Sequence, residues 1–197
     1  MQAETSPARL IVGITGGSGG LLALRLLEAL AATPLEVHLV VSRAGRQVLA
    51  HETGRTPEEL ASLADGIHLY RPDDLFAPMA SGSFQTRGMV VVPCSMKTLA
   101  GVASGYADDL LLRAADVCLK ERRRLVLVTR ESPLSLIHLE NMRRVTLAGA
   151  VVLPPVLTLY TRPAPATLDD LVAQITAKIL DQLGVEATMG RRWGEGS

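Results

Sequence analysis

Four small groups of hydrogen-bonding side chains each stand directly behind an apolar run, where a chain would leave a strand. Ser95 and Thr98 follow Met89-Val-Val-Val-Pro93, and Ser18 sits inside Gly16-Gly-Ser-Gly-Gly20 after Leu10-Ile-Val-Gly-Ile-Thr15. Ser42 closes Glu36-Val-His-Leu-Val-Val41, and Arg130-Glu131 follows Leu125-Val-Leu-Val-Thr129. Hydroxyls at the start of a helix, beside N–H groups that have no intrahelical partner and carry the positive end of the helix dipole, make an anion site suited to phosphate. Ser95 and Thr98 alone would equally suit an ordinary capped helix. A guanidinium and a carboxylate at a further strand end decide between the two readings, because open parallel sheets bind ligands at the carboxyl ends of their strands.

These groups need strands of one direction joined by helices. Runs rich in Val, Ile and Leu without polar alternation read as strands buried on both faces, which is the pattern of a parallel sheet. Between them lie helical segments at Leu21–Ala32, Ala44–Glu52, Asp109–Glu121, from Ser135 onward, and Thr167–Leu183. The last carries Leu168, Leu171, Ile175 and Ile179 on one stripe with Lys178 at its flank. Thr56-Pro-Glu-Glu59 is a capping-box start, and Ile67–Tyr70 and Ala150–Leu153 are further strands. The expected fold is therefore α/β: a three-layer αβα, flavodoxin-like or Rossmann-like parallel sheet in a single domain. The connection from Pro72 to Gly88 is long enough to be a binding loop or subunit contact, with Leu75, Phe76, Met79 and Phe84 as apolar anchors. Glycines in the first loop let the backbone approach a ligand, but their spacing is not G-x-G-x-x-G and Ser42 stands where a ribose-binding acid would. NAD is disfavoured.

Composition narrows the partners. Among 197 residues, 20 basic and 20 acidic side chains cancel, which leaves no broad electrostatic footprint for nucleic acid or an anionic membrane. No apolar run reaches the ~18 residues of a membrane span, and no signal-peptide pattern precedes the first strand. Cys94 and Cys118 form neither a disulfide framework nor a zinc motif, so no metal is expected and a reducing cytoplasm is the expected setting. Both are read as core residues. His138 is read as a cap or buttress. The boundaries expected are a flexible 1–8, a domain over 9–185, and a tail over 186–197 that docks near the active site or a neighbouring subunit.

The segments Gly16-Gly-Ser-Gly19, Pro93-Cys-Ser-Met-Lys-Thr-Leu99, Arg113-Ala-Ala-Asp116, Leu119-Lys-Glu-Arg122, Leu125-Val-Leu-Val-Thr-Arg-Glu131, His138-Leu-Glu-Asn-Met142 and Arg191-Arg-Trp-Gly-Glu195 together resemble the UbiX-type flavin prenyltransferases, formerly described as aromatic acid decarboxylases. The resemblance runs from Arg9 almost to the end. It implies a homo-oligomer, typically a dodecamer, that moves a dimethylallyl group from dimethylallyl phosphate to N5 and C6 of reduced FMN for use by a UbiD-type decarboxylase. By position it implies that Gly16, Gly17, Ser18, Ser42, Ser95, Met96, Lys97, Thr98 and Arg130 hold FMN. Lys120, Tyr160 and Lys178, with Arg130, would hold the dimethylallyl phosphate, and Glu131, Glu52, Lys120 and Ser18 would serve the chemistry.

Three departures from the family pattern stand out. Gly17 replaces alanine, Leu22-Ala23 replaces Tyr-Gly, and Lys178 replaces an arginine, keeping charge but losing the bidentate fork. The competing readings are an FMN-dependent cysteine decarboxylase of the same superfamily, whose Pro-x-Met-Asn-x-x-Met-Trp segment is missing, and a non-catalytic flavin carrier. A carrier has no evident use for Lys120, Glu131, Tyr160 and Lys178.

Overall fold

The structure is a computed structural model and describes residues 9–158 and 167–186. Its strands are β1 (Arg9–Ile14), β2 (Glu36–Val41), β3 (Ile67–Tyr70), β4 (Gly88–Cys94), β5 (Arg124–Thr129) and β6 (Val151–Val152). All pair in parallel, in the order β3-β2-β1-β4-β5-β6. That is the Rossmann order, and the αβα class expected from the apolar runs is the one found. The helices are α1 (Gly20–Ala31), α2 (Arg43–Thr53), α3 (Pro57–Ala61), α4 (Met96–Ser104), α5 (Leu110–Lys120), α6 (Leu136–Leu147) and α7 (Leu168–Leu183).

The continuous apolar runs hide a period of two. Leu10, Val12 and Ile14 of β1, with Val90, Val92, Val126 and Val128, face a core closed by Leu26, Leu27 and Leu30 of α1 and Ile175 and Ile179 of α7. Ile11, Met89, Val91, Leu125 and Leu127 face the opposite core, closed by Leu111, Ala114, Ala115 and Cys118 of α5 and Leu99 of α4. Burial on both faces forces both parities to be apolar, which is why the sequence shows no alternation.

Several boundaries move. β4 runs through Pro93 to Cys94 rather than stopping at the proline, and Ser42 is not a strand end but the N-cap of α2. Leu168, expected on the buried stripe of α7, is exposed, because the stripe begins to meet the core only at Val172. Cys94 and Cys118 are buried as expected, and burial pushes each thiol up to about 12, so neither is a nucleophile at neutral pH. His138 completes a capping box with Ser135 at the start of α6.

The 72–87 connection is anchored by half of the residues expected. Met79 is buried in a short 3₁₀ turn (Pro78–Ala80) that packs on α5, and Phe84 lies under the Arg9 guanidinium and against the edge of buried His38. Arg113 Nε donates to the Ala80 carbonyl at 3.0 Å, and Arg123 donates to the carbonyl oxygens of Phe84 and Gly82. Leu75 and Phe76 are instead exposed, Phe76 completely. Truncating Met79 to Ala should cost about 2–5 kcal/mol in urea unfolding, whereas Phe76→Ala should leave the stability of a single subunit unchanged.

Candidate active site

β1 and β4 are neighbours, yet the chain leaves them toward opposite faces: α1 joins the first core, α4 and α5 the second. Regular pairing ends at Gly13 and Val91, and beyond it the two tips are held by Thr15, whose N–H and hydroxyl both donate to the Pro93 carbonyl. A cavity of about 630 Å³ opens there. Thr15 and Gly16 line it from β1, and Ser95, Lys97 and Thr98 from α4. Ser42, Arg43, Ala44 and Gln47 line it from the start of α2, Pro72 and Asp73 from beyond β3, and Asp108, Asp109 and Leu111 from the start of α5.

Two helix N-termini face this space. Ser42 Oγ accepts from the Gly45 N–H at 3.0 Å, capping α2, and Ser95 Oγ accepts from the Thr98 N–H at 3.3 Å while lying 3.1 Å from the Thr98 hydroxyl, capping α4. α2 can come this close because Gly16 has no side chain: a Cβ there would lie 2.6 Å from Ala44 Cβ. A Cβ on Gly17 would meet nothing nearer than 3.5 Å, so the alanine usual at that position fits. Leu22 and Ala23 are buried in the first core, so the departure from Tyr-Gly is absorbed by apolar packing.

The N-terminus of α1 is different. It was expected to present free N–H groups, but Glu52 reaches across from the end of α2, and its Oε2 accepts from the Gly19 and Gly20 N–H groups at 2.9 and 2.6 Å. Partial burial pushes the Glu52 carboxyl upward, and hydrogen bonds from the Ser18 hydroxyl and the two N–H groups, with Arg130 nearby, more than reverse that, so its pKa lies below the ordinary value of 4.5. It is an anion at neutral pH. Arg130 Nε donates to the Ser18 carbonyl at 3.3 Å, and the Arg130 N–H lies 3.4 Å from the Cys94 carbonyl, tying the tip of β5 to both loops. Ser18, Glu52 and Arg130 therefore form one polar cluster.

The remaining candidates are dispersed. Met96 opens α4 with its side chain packed toward the second core. Glu131 is exposed beyond β5, and its Oε1 accepts from the Ser132 N–H at 3.0 Å. Lys120 ends α5 and pairs with Glu121, about 15 Å along the helix axis from Leu110 at 1.5 Å per residue and near the opposite edge of the sheet. Lys178 is exposed on α7. Tyr160, the segment 1–8 and nearly all of the 186–197 tail lie outside the described residues. Arg43, Gln47, Asp73, Asp108 and Asp109 were not anticipated. Arg43 and Gln47, four apart behind a capping Ser42, carried a readable signal. Asp108 did not, since it is brought in by a tertiary hydrogen bond from the Leu110 N–H to the Pro72 carbonyl at 2.8 Å. Among the described residues no group of His, Cys, Asp or Glu is arranged to hold a metal ion.

A parallel sheet with a cavity between capped helix starts at its switch point, no dinucleotide fingerprint, and a polar cluster beside it is the architecture of a mononucleotide-binding α/β protein. The flavoprotein family model matches residues 1–180. A probable UbiX-like flavin prenyltransferase of Streptomyces sp. (strain D7) is 52% identical over 94% of this chain and 91% of its own length. Among solved structures, AnUbiX (PadA1) in complex with FMN and dimethylallyl pyrophosphate superposes with a TM-score of 0.92 at 44% identity, covering 98% of this chain and all of that one. A dodecameric FMN-dependent UbiX-like decarboxylase from Escherichia coli O157:H7 gives 0.89 at 49% identity, over 94% and 98%. The chain belongs to the flavoprotein family and, within it, to the UbiX-type flavin prenyltransferases. Cysteine decarboxylases such as SpaF, at 19% identity and a TM-score of 0.59, share the fold alone.

Gly16→Ala should destabilise by about 1–3 kcal/mol, and Gly17→Ala should be neutral to stabilising by up to about 1 kcal/mol, both read from thermal midpoints. Because the carboxyl of Glu52 is depressed on folding, its stabilisation is complete above pH 4.5 and fades as pH falls through its folded value. Glu52→Gln should therefore be less stable than the parent at neutral pH, and the gap should narrow on acidification in urea titrations.

Proposed function

We propose that this chain is a flavin prenyltransferase that moves a dimethylallyl group from dimethylallyl phosphate to reduced FMN. The observation that carries the reading is the cavity at the β1/β4 switch point, whose size falls within the ~300–1,000 Å³ usual for cofactor sites and whose lining gathers Ser42, Arg43, Ser95, Lys97 and Thr98 at two helix starts, with Asp73, Asp108 and Asp109 contributed from beyond β3 and the start of α5. The FMN phosphate belongs on α4 and α2, with Ser42, Ser95, Thr98 and Lys97 as donors and Gly16 and Gly17 admitting the backbone. It does not belong on α1, where the Glu52 carboxylate already holds the Gly19 and Gly20 N–H groups and would repel it. The isoalloxazine then extends toward Ser18, Glu52 and Arg130.

When bound, reduced FMN would supply N5 and C6 as nucleophiles: N5 would displace phosphate at the allylic carbon, giving up its own proton as the C–O electron pair leaves with phosphate, and C6 would bond to the far alkene carbon as the middle carbon takes up a proton, with loss of the C6 proton. The protein's task is to bind the leaving phosphate and to move that proton. Cations placed where negative charge develops lower the barrier, a role for Arg130, Lys178, Lys120 and the Tyr160 phenol. Glu131, at the tip of β5, is the proposed proton acceptor. Ser18 and anionic Glu52 orient the ring edge and relay the proton.

Lys120 lies too far along α5 to serve its own subunit's cavity. In this reading its cation belongs to the crevice of an adjoining copy, and the dodecameric relative supports such an assembly. Leu136, Ile137 and Leu147 of α6, each more than 70% exposed, supply the apolar surface for self-association. No described helix is long and apolar enough to cross a membrane. A reducing cytoplasm, which keeps FMN reduced, is the proposed setting, with a UbiD-type decarboxylase receiving the product. The tail beyond Val185 is proposed to dock at the active site or on a neighbour.

Anaerobic incubation of the protein with reduced FMN and dimethylallyl phosphate should yield a heavier flavin by mass spectrometry and release inorganic phosphate; unchanged FMN beside an active control overturns the reading. Glu131→Gln should retain FMN and slow transfer by about 10²–10⁴-fold, the usual range for a lost general base. Ile137→Asp should give a smaller particle by light scattering with unchanged helical content.

A further inference from the structure

We infer that Thr15 is a positioning residue that holds the N-terminus of α4 in register to receive the flavin phosphate; this deepens the reading of the cavity as the FMN site and rests on it. The parallel ladder between β1 and β4 ends at Gly13 and Val91. One step further, β4 carries Pro93, which has no N–H and cannot continue the ladder toward β1. Thr15 replaces the missing rung. Its N–H and its hydroxyl both donate to the Pro93 carbonyl, at 3.2 and 2.7 Å, and the same hydroxyl oxygen accepts from the Ser95 N–H at 2.8 Å.

The side chain can do this because alternation along β1 puts Ile11, Gly13 and Thr15 on the face of α4 and α5. Thr15 is 1% exposed, and its hydroxyl is committed to the protein on both its donor and acceptor sides. It lies at the wall of the cavity but has no hydrogen left for a ligand. What it fixes is Ser95, whose Oγ caps α4 at Thr98 and lies at the phosphate cradle. The Thr15 hydroxyl thus adds to the backbone bond between the two strand tips and alone ties the Gly16–Gly17 side of the cradle to the Ser95 N–H on the other side. Removing it leaves the partly buried Ser95 N–H without that acceptor, a loss that movement of the helix start toward water would relieve.

The test compares Thr15→Ser, which keeps the oxygen, with Thr15→Val, which keeps the shape and loses it. FMN affinity is read from flavin fluorescence, and the environment of the bound phosphate from its ³¹P resonance. Thr15→Ser should bind FMN like the parent. Thr15→Val should bind about tenfold or more weakly, corresponding to about 1.4 kcal/mol, with a displaced ³¹P signal, while riboflavin, which lacks the phosphate, should bind both variants alike. Equal FMN affinity in Thr15→Val, or equal loss in Thr15→Ser and Thr15→Val, overturns the inference. Should Thr15→Val not fold, amide hydrogen exchange on the parent protein decides: Ser95 N–H should be protected before FMN is added, and exchange as fast as that of Lys97 N–H overturns it. A parent protein that binds no FMN overturns the functional reading and this inference together, whereas parent binding with an unaffected Thr15→Val overturns this inference alone.

Discussion

The structure depends on one consequence of chain direction: two adjacent parallel strands, β1 and β4, send their following helices to opposite faces of the sheet. Parallel pairing keeps the strands about 4.8 Å apart along the ladder, but the helices cannot occupy the same space above their ends. Regular pairing stops at Gly13 and Val91, and the helix starts around the tips point N–H groups and positive dipole ends at a common gap. Every other feature of the site either exploits that gap or limits how far it opens.

Electrostatics then divides the gap into two regions. Helices α1, α2, α4 and α5 all begin around it, and the start of α5 is already capped by the Asp109 carboxylate. Glu52 closes the start of α1 by lying on Gly19 and Gly20 as a carboxylate, its charge sustained by Ser18 and Arg130. The starts of α2 and α4 carry hydroxyl caps instead, Ser42 and Ser95, so the fixed internal anion is confined to the α1 side of the gap. This arrangement separates a mononucleotide site from the dinucleotide site that the same strand order supports when a pyrophosphate sits on α1.

A single subunit also has side chains whose positions make little sense alone. Phe76 is wholly exposed on a loop pinned by Arg113 and Arg123, and α6 presents Leu136, Ile137 and Leu147 to solvent. Lys120 stands at the far end of α5 from the cavity. Apolar surface of this extent usually marks contact with another protein, and repetition of one chain by symmetry can return a distant side chain to a neighbour's site at no cost in new sequence.

The amino-acid sequence by itself determined the parallel αβα class, the strands, most helix starts through Thr56, Ser95, Asp109, Ser135 and Thr167, and the polar strand tips at Ser18, Ser95 and Arg130. These follow from local rules: β-branched runs favour strands, and a serine, threonine or aspartate oxygen satisfies the first N–H groups of a helix within three residues. Tertiary structure alone decided that Glu52 closes the start of α1, that Thr15 joins β1 to Ser95, that Arg43, Gln47 and Asp108 line the cavity, and that Lys120 stands far from it. Those facts depend on which strands become neighbours and how helices cross, and they bring together residues 32 to 80 positions apart that no short-range pattern links.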